Sequence, residues 1–244
     1  MGKLRVFLTG GNGLVGRNLR EHPSIGNHDL IAPGSAELNL RDFDAVSRYL
    51  RDCRPDIVIH AAGKVGGIQA NLSEPVKFLV ENLDMGRNIV LAAHLAGVRQ
   101  FLNLGSSCMY PRGHSEPLRE EMVLQGQLEP TNEGYALAKV VTMRLCEYIA
   151  RQDRSYAYKT LIPCNLYGRH DKFDPAFSHL VPAIIYKIHK AMTDGEPEVE
   201  IWGDGRIVRD YFYIKDGAKS IYKAFKDKSA NRIYNISSNK GLSI

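Results

Sequence analysis

The sequence of 244 residues has few cysteines and no long apolar run. Neither CxxC nor Cys/His ligand spacing occurs among Cys53, Cys108, Cys146 and Cys164. This argues against a zinc site and a disulfide framework, so we expect no metal and a reducing, cytoplasmic environment. The apolar stretches are too short to cross a bilayer, and the N-terminal one is too short for a signal peptide. We therefore expect no membrane partner.

Basic residues are spread along the whole chain and form no dense run. The formal net charge is +5, from 32 lysines and arginines against 27 acidic residues. A protein that follows a nucleic-acid backbone needs a concentrated basic patch, so we expect no nucleic-acid partner. A mild positive excess is compatible with attraction of a phosphorylated small molecule.

Short apolar runs alternate with longer amphipathic stretches over the first two thirds of the chain. This alternation predicts βα units on a parallel sheet. The predicted strands are Leu4–Thr9, Asp29–Ala32, Asp56–His60, Gln100–Leu104 and Lys159–Ile162. Helices are predicted to begin near Leu14, Asp42, Glu74 and Thr131.

The pattern changes after Pro163. The segment 165–177 is rich in Gly, Pro, Asp and His, which predicts a long functional loop. A helix is then predicted from His179 to Met192, a strand at Val199–Trp202, and a strand, a helix and a strand through Ile236. The last four residues resemble a turn and a helix N-cap without its helix, so we expect the chain to stop inside a C-terminal lobe.

A glycine-rich turn lies between the first predicted strand and the first predicted helix. Such a turn lets the backbone approach a pyrophosphate, and the helix N-terminus stabilises the anion. The strand–turn–helix context favours dinucleotide binding over an unrelated tight turn. The predicted cofactor-binding residues are Gly10, Gly11, Asn12, Gly13, Leu14, Val15 and Gly16. No acidic residue ends the second strand, and Glu37 lies slightly beyond it, which leans towards NADP(H) over NAD(H). The arginine or lysine that would bind the 2′-phosphate is also missing there.

Tyr135 and Lys139 are four residues apart, on one face of a predicted helix. A nearby cation lowers the pKa of a phenol and poises it to exchange a proton with a carbonyl or alcohol. Ser106 follows an apolar strand, where active-site residues of an open α/β sheet lie, and its hydroxyl could bond the same reacting oxygen. The alternatives are a surface tyrosine packed on a lysine and a plain turn of small residues.

Longer strings narrow the interpretation. They are His60–Ala62 with Lys64–Ile68, Gly105–Cys108 with Tyr110 and Pro111, Leu128–Glu133, Asn165–Gly168 with His170 and Asp171, and Trp202 and Gly203 with Arg209. With the two motifs above, the chain resembles the extended short-chain dehydrogenase/reductases of the NAD-dependent epimerase/dehydratase group, and within it the GDP-L-fucose synthases. The resemblance implies an α/β fold, a Rossmann-type doubly wound parallel sheet with a small, truncated C-terminal substrate lobe. It also implies the NADPH-dependent conversion of GDP-4-keto-6-deoxy-D-mannose to GDP-L-fucose by 3,5-epimerisation and reduction.

The resemblance implies a role for each matching residue. Ser106, Tyr135 and Lys139 would form the reductase triad, with Cys108 as the base and His179 as the acid of the epimerisation. The cofactor site would be completed by Leu104, Gly105, Ser106, Ser107, Lys139, Pro163, Cys164, Asn165, Leu166 and His179. The GDP-sugar would contact Lys187, Trp202 and Arg209. Without the resemblance, Cys108 reads as an inert small residue, and His179 reads equally as a helix cap.

The resemblance further implies a homodimer formed through the helices that follow Glu74 and Thr131. The expected dinucleotide-binding domain comprises residues 1–168 with 209–237, and the partial substrate lobe comprises 169–208 with 238–244. Asn12 and Ser35 stand where bacterial relatives often have basic residues, which leaves NADP against NAD open.

Two other functions stay open at this stage. One is a nucleotide-sugar 4-epimerase, 4-reductase or dehydratase of the same family. The dehydratases tend to have an acidic pair after the active-site serine or threonine, which Cys108 and Met109 do not match. The other is a non-catalytic dinucleotide-binding protein, a class that commonly loses the tyrosine or the lysine that this chain retains.

Overall fold

The computed structural model describes residues 2–114, 116–174, 178–201, 205–227 and 229–243. In chain order the strands are β1 (Arg5–Thr9), β2 (Asp29–Ile31), β3 (Ile57–His60), β4 (Gln100–Leu104), β5 (Ala157–Pro163), β6 (Asn165–Tyr167), β7 (Val208–Tyr213), β8 (Ile233–Ile236) and β9 (Gly241–Ser243). The α-helices are α1 (Leu14–Arg20), α2 (Phe43–Cys53), α3 (Ile68–Ser73), α4 (Pro75–Leu95), α5 (Glu133–Gln152), α6 (Leu180–Asp194) and α7 (Ile214–Lys226). Short 3-10 turns cover Ser107–Met109 and Glu120–Met122.

The main sheet is parallel and has the strand order β2-β1-β3-β4-β5-β8. This confirms the predicted α/β fold and the five strands predicted in the first part of the chain, each to within two residues at either end. The strand order reverses between β1 and β3. In an open sheet of this kind, ligands bind outside the carboxyl ends of the strands at such a reversal.

Both faces of the main sheet are buried, as expected for a parallel sheet covered by helices. One core contains Phe7, Val58, Phe101 and Tyr158 and lies under α2, α4 and α5. The other core contains Val6, Leu8, Ile59 and Leu102 and lies under α1 and α7. Because side chains alternate along a strand, each strand contributes to both cores.

Local sequence sets the helix boundaries. The Asp42 carboxylate accepts a hydrogen bond of 2.9 Å from the amide of Ala45 and caps α2. Pro75 occupies the first turn of α4, where a missing N–H costs nothing. Gly195 ends α6 with φ of 74°, a left-handed conformation that glycine adopts readily. Among the described residues, no helix has both the length and the apolar character needed to cross a membrane.

A second, smaller sheet has the order β6-β7-β9, with β6 parallel and β9 antiparallel to β7. It corrects two expectations. The predicted loop of residues 165–177 begins with β6, because 165–167 pair with β7. The predicted terminal turn is β9, because the main chain of 241–243 pairs with 208–210, a long-range contact that no local pattern signals.

The strand predicted at Val199–Trp202 is wrong over residues 199–201, which are irregular. Trp202 lies outside the described residues. The second sheet takes strands from both predicted domains, and the proposed domain division stays a prediction.

Candidate active site

The glycine-rich turn connects β1 to α1 at the reversal of the strand order. Gly10 has φ of 70°, and a Cβ on it would lie 2.7 Å from the main chain of Ala61. A Cβ on Gly16 would lie 2.1 Å from the carbonyl oxygen of Gly10. The Gly13 amide donates to that same oxygen at 3.0 Å. These close approaches require glycine, because a side chain at either position would push the turn open.

The outer side of the turn fits a pyrophosphate. Asn12 and Gly13 are exposed, and a Cβ on Gly13 would meet only the Gly10 oxygen, at 3.5 Å. The first amides of α1 have no acceptor within their own helix and face the open end. A helix N-terminus behind a bare backbone turn is a site for a phosphate anion.

Lys139 connects α5 to the carboxyl end of β4. Its ammonium donates a hydrogen bond of 3.0 Å to the Leu104 carbonyl and lies 5.7 Å from the centre of the Tyr135 ring. Burial lowers the pKa of Lys139 to about 8. The tyrosine and the lysine are therefore adjacent, as their spacing predicts.

The Ser106 hydroxyl lies close to both Tyr135 and Cys108, and it acts to lower the pKa of each. Burial raises the pKa of Tyr135 well above its ordinary value, and the nearby Cys108 adds to this, while the Ser106 hydrogen bond opposes it. The expected lowering of the tyrosine pKa by Lys139 is not observed, because burial raises this pKa and Lys139 is not among the groups that lower it. Burial also raises the pKa of Cys108 to about 11, against the effects of Ser106 and Lys139.

The segment after β5 is held by a carboxylate. The Asp210 carboxylate accepts hydrogen bonds from the Ser237 and Ser238 hydroxyls and, at 3.2 Å, from the Ser238 amide. The Asn165 amide donates to the Asp210 carbonyl at 2.9 Å, and the Cys164 main chain donates to β8. The predicted cofactor-lining residues thus lie at the end of β5, which is Pro163, and directly after it, at Cys164, Asn165 and Leu166, beside the end of β4.

The remaining predicted residues lie on the second part of the chain. His179 is exposed at the N-cap of α6 and makes no side-chain cap bond. Its charge opposes the burial that raises the pKa of Asp171. The Lys187 ammonium donates to the Glu200 carbonyl at 2.7 Å, and the exposed Arg209 donates to the Val208 carbonyl at 3.0 Å. Among the described residues, the contacts join Ser106, Cys108, Tyr135 and Lys139 to one another. They do not join His179, Lys187 or Arg209 to that group.

Sequence reasoning missed a buried polar row across the carboxyl ends of four strands. Strand register places Thr9, His60, Asn103 and Thr160 side by side, all almost fully buried. Thr9 Oγ1 lies 2.8 Å from His60 Nδ1 and accepts from the Ala62 amide at 3.2 Å. Burial lowers the pKa of His60 to about 3, with Lys139 adding to the effect. The available signal was a polar residue that ends the first and third strands, at Thr9 and His60, and one inside each of the next two apolar runs, at Asn103 and Thr160.

Asn82 on α4 is a second missed residue. Its side-chain amide accepts from the Lys64 amide at 2.9 Å and donates to the Lys64 carbonyl at 3.1 Å. It holds the loop after β3 beside Lys139, since a Cβ on Gly63 would lie 3.1 Å from the Asn82 oxygen and 3.6 Å from the Lys139 ammonium. A polar side chain on the buried side of a helix was the available signal.

The sequence is similar to one protein family along most of its length. The family model described as "NAD dependent epimerase/dehydratase family" matches residues 6–237. The GDP-L-colitose synthase of Yersinia pseudotuberculosis is 51% identical over 219 residues, which are 90% of this chain and 71% of the relative. The GDP-L-fucose synthase of Azorhizobium caulinodans is 49% identical over 227 residues, or 93% of this chain and 72% of the relative.

Two similar solved structures have NADP bound. A GDP-L-fucose synthetase of Naegleria fowleri bound to NADP has a TM-score of 0.88 at 27% identity, covering 98% of this chain and 79% of that one. A GDP-mannoheptose C4 reductase of Campylobacter jejuni with NADP bound has a TM-score of 0.88 at 26% identity, covering 100% and 82%. The chain therefore belongs to the NAD-dependent epimerase/dehydratase family, a family of NAD(P)-dependent enzymes.

Proposed function

We propose that this chain is an NADPH-dependent epimerase–reductase that converts GDP-4-keto-6-deoxy-D-mannose to GDP-L-fucose. The observation that carries the proposal is the cluster in which Ser106 lies close enough to Tyr135 and Cys108 to act on the pKa of both, beside the buried Lys139. A plain reductase needs the tyrosine, the serine and the lysine. The Cys108 thiol is a second acid–base group beside the same serine, and it supports proton transfer at a second carbon.

The residues of the glycine-rich turn, 10–16, would hold the cofactor pyrophosphate, and the ends of β4 and β5 would line the rest of its site. When bound, the cofactor supplies the hydride for C4 of the sugar. Tyr135 would donate the proton to the C4 oxygen, with Ser106 bonded to that oxygen. Lys139 would keep a positive charge beside the tyrosine while it holds the end of β4 through Leu104.

Cys108 would remove the protons at C3 and C5. A 4-keto group acidifies both positions, because the carbanion is delocalised as an enolate. The thiolate is the reactive form, and the Ser106 hydrogen bond and the Lys139 charge both favour it against burial. His179 would return the proton on the opposite face, and its charge interacts with the carboxylate of Asp171. Lys187, Trp202 and Arg209 would contact the GDP-sugar, Arg209 through its planar fork.

A second candidate is the corresponding reaction on a 3-deoxy sugar. The observation that favours it is the 51% identity to a GDP-L-colitose synthase. Colitose lacks the 3-hydroxyl of fucose, so the same acid–base groups would act on a substrate in which C3 needs no inversion. Another nucleotide-sugar 4-epimerase or reductase would use the same tyrosine and lysine without Cys108.

We further propose a homodimer. Val76 and Val80 on α4 and Leu137 and Val141 on α5 are exposed apolar residues at four-residue spacing on two helices that pack together. Such a two-helix apolar face is suited to pairing with its own copy in a four-helix arrangement.

Incubation in deuterated water tests the reaction. The protein is given GDP-4-keto-6-deoxy-D-mannose or its 3-deoxy counterpart, with NADPH or NADH, and the products are analysed by NMR. The proposal expects deuterium at C3 and C5 and a product of inverted configuration from the first sugar. Reduction without exchange would contradict it in favour of a plain 4-reductase. Exchange and turnover only with the 3-deoxy sugar would favour the second candidate.

A further inference from the structure

The side chain of Arg20 lies beside the glycine-rich turn, near the carboxyl end of β2. Arg20 is the last residue of α1, and its Nη1 donates to the side-chain oxygen of Asn12 at 3.3 Å. A Cβ on Gly11 would lie 3.8 Å from Arg20 Cδ and 3.0 Å from Ala32 Cβ, the first residue after β2. A Cβ on Gly34 would lie 3.4 Å from Asn12 Nδ2. Arg20 and Asn12 thus stand together above the residues that follow β2.

This place has a defined role in a dinucleotide-binding sheet. The adenosine ribose lies at the end of the second strand, where a carboxylate binds the free 2′-hydroxyl of NAD. An arginine there accommodates the 2′-phosphate of NADP instead. The charge at the end of β2 therefore decides which cofactor the turn accepts.

Acidic side chains near this place are engaged elsewhere. Glu37, which follows β2, accepts a hydrogen bond of 2.6 Å from the Tyr49 hydroxyl on α2. Glu21, the neighbour of Arg20, lies 2.6 Å from His170 Nε2. In the part of the chain that the structure describes, no carboxylate lies within 4 Å of the Arg20 guanidinium. Its charge is thus available to a ligand.

We propose that Arg20, oriented by Asn12, binds the 2′-phosphate of the cofactor and makes this chain prefer NADP(H). Asn12 Oδ1 accepts from the guanidinium and fixes its direction, while Asn12 Nδ2 and the remaining guanidinium N–H groups donate to phosphate oxygens. The inference deepens the proposed function and rests on it only in that a dinucleotide binds at the glycine turn. A cation in the last turn of α1 also stabilises the helix dipole, but that effect does not depend on the ligand.

Two small nucleotides isolate the 2′-phosphate. Adenosine 2′,5′-bisphosphate and AMP differ only in that group, and their binding is measured by isothermal titration calorimetry. We expect Arg20→Ala to weaken the bisphosphate about tenfold, since it removes charge-assisted hydrogen bonds, and to change AMP by less than twofold. Asn12→Ala should weaken the bisphosphate by a smaller factor, about threefold, because the guanidinium remains but loses its orientation. Arg20→Lys should be intermediate, because it keeps the charge without the fork.

Arg51→Ala is the matched control. Arg51 is likewise exposed in the last turn of a helix, α2, which packs on the opposite face of the sheet. Arg51→Ala removes the same charge as Arg20→Ala but on the other face of the sheet, so it should leave both affinities unchanged. Thermal unfolding of each variant checks that it folds.

Three outcomes would overturn the proposal: equal losses for both nucleotides in Arg20→Ala, no loss for either, or a wild type that binds AMP as tightly as the bisphosphate. Neither nucleotide contains the sugar substrate or the nicotinamide. Failure here therefore leaves the epimerase–reductase proposal standing, and failure of the deuterium experiment leaves this one standing.

Discussion

Ser106 has one hydroxyl proton and two ionisable neighbours, the thiol of Cys108 and the phenol of Tyr135. It can donate to only one anion at a time. The epimerisation needs the thiolate of Cys108. The reduction that follows needs the neutral phenol of Tyr135, which becomes a phenolate as it gives its proton to the C4 oxygen. A shared serine therefore suits two consecutive proton transfers in one site better than two independent ones.

The substitution Cys108→Ser separates the two transfers. It removes the proposed base but keeps a small polar side chain, so deuterium incorporation at C3 and C5 should fall at least about 100-fold. NADPH oxidation with the 4-keto sugar should survive, because Tyr135 and Lys139 are untouched. Both rates are read from one incubation in deuterated water, by NMR and by absorbance.

Cys53→Ser is the control for this variant, because Cys53 is half-buried at the end of α2. It should leave both rates at the wild-type level. Full exchange in Cys108→Ser would show that another group is the base.

At the scale of single elements, the β1–turn–α1 unit depends on the contact between Gly16 and Gly10. Gly16→Ala places a methyl group 2.1 Å from the Gly10 carbonyl oxygen, and main chain cannot move aside as a flexible side chain can. The turn must open, so NADPH affinity, measured by fluorescence titration, should fall more than about tenfold, since the phosphate-binding amides lose their arrangement.

Gly26→Ala is the glycine control, because a Cβ there meets only the Pro23 oxygen at 3.4 Å. Its NADPH affinity should equal that of the wild type. An unchanged affinity in Gly16→Ala would mean that the pyrophosphate lies elsewhere.

The polar row on β1, β3, β4 and β5 makes stability depend on pH through His60. Burial holds the folded pKa of His60 at about 3, below its unfolded value of about 6.5, so the unfolded chain binds the extra proton first as pH falls. The associated stability is present above pH 6.5 and is lost progressively towards pH 3. We expect a loss on the order of 2 kcal/mol between pH 7.5 and 5.0 from this group.

Urea unfolding at these two pH values measures the free energy of unfolding of the wild type and of His60→Gln. The variant should lack the decrease that His60 contributes. His189→Gln removes an exposed histidine of α6 and should unfold with the wild-type pH dependence. Equal pH dependence in His60→Gln and the wild type would refute the assignment.

At the scale of the whole molecule, α4 and α5 form the proposed dimer face. A carboxylate at Val80 or Val141 would have to be desolvated in the interface, so Val80→Asp and Val141→Asp should convert the dimer to monomers. Sedimentation velocity measures the mass, and circular dichroism verifies the fold.

Met192→Asp introduces the same charge at an exposed apolar residue of α6 and should remain dimeric. A monomeric wild type, or an intact dimer of Val80→Asp, would contradict this assignment of the interface.

Local chemistry explains why much of the fold could be predicted. Apolar runs of four to seven residues bounded by turn residues correspond to β1, β3, β4 and β5, because strands buried on both faces are apolar at nearly every position. The terminal strand β9 could not be predicted, since its three residues are exposed and exist as a strand only through pairing with β7. The prediction of a loop after Pro163 was wrong at β6 for the same reason, since residues 165–167 form a strand through pairing with β7.

The sequence by itself determined the glycine turn, the adjacency of Tyr135 and Lys139 and the order of the main elements, because spacing along a helix or around a turn is a local property. Only the tertiary structure decided the rest. It brought Ser106 close to Tyr135 and Cys108, buried His60 beside Thr9 and put Arg20 beside Asn12, near the end of β2. These contacts depend on which strand ends meet at one edge of the sheet and on how much water burial removes, and both are properties of the assembled fold.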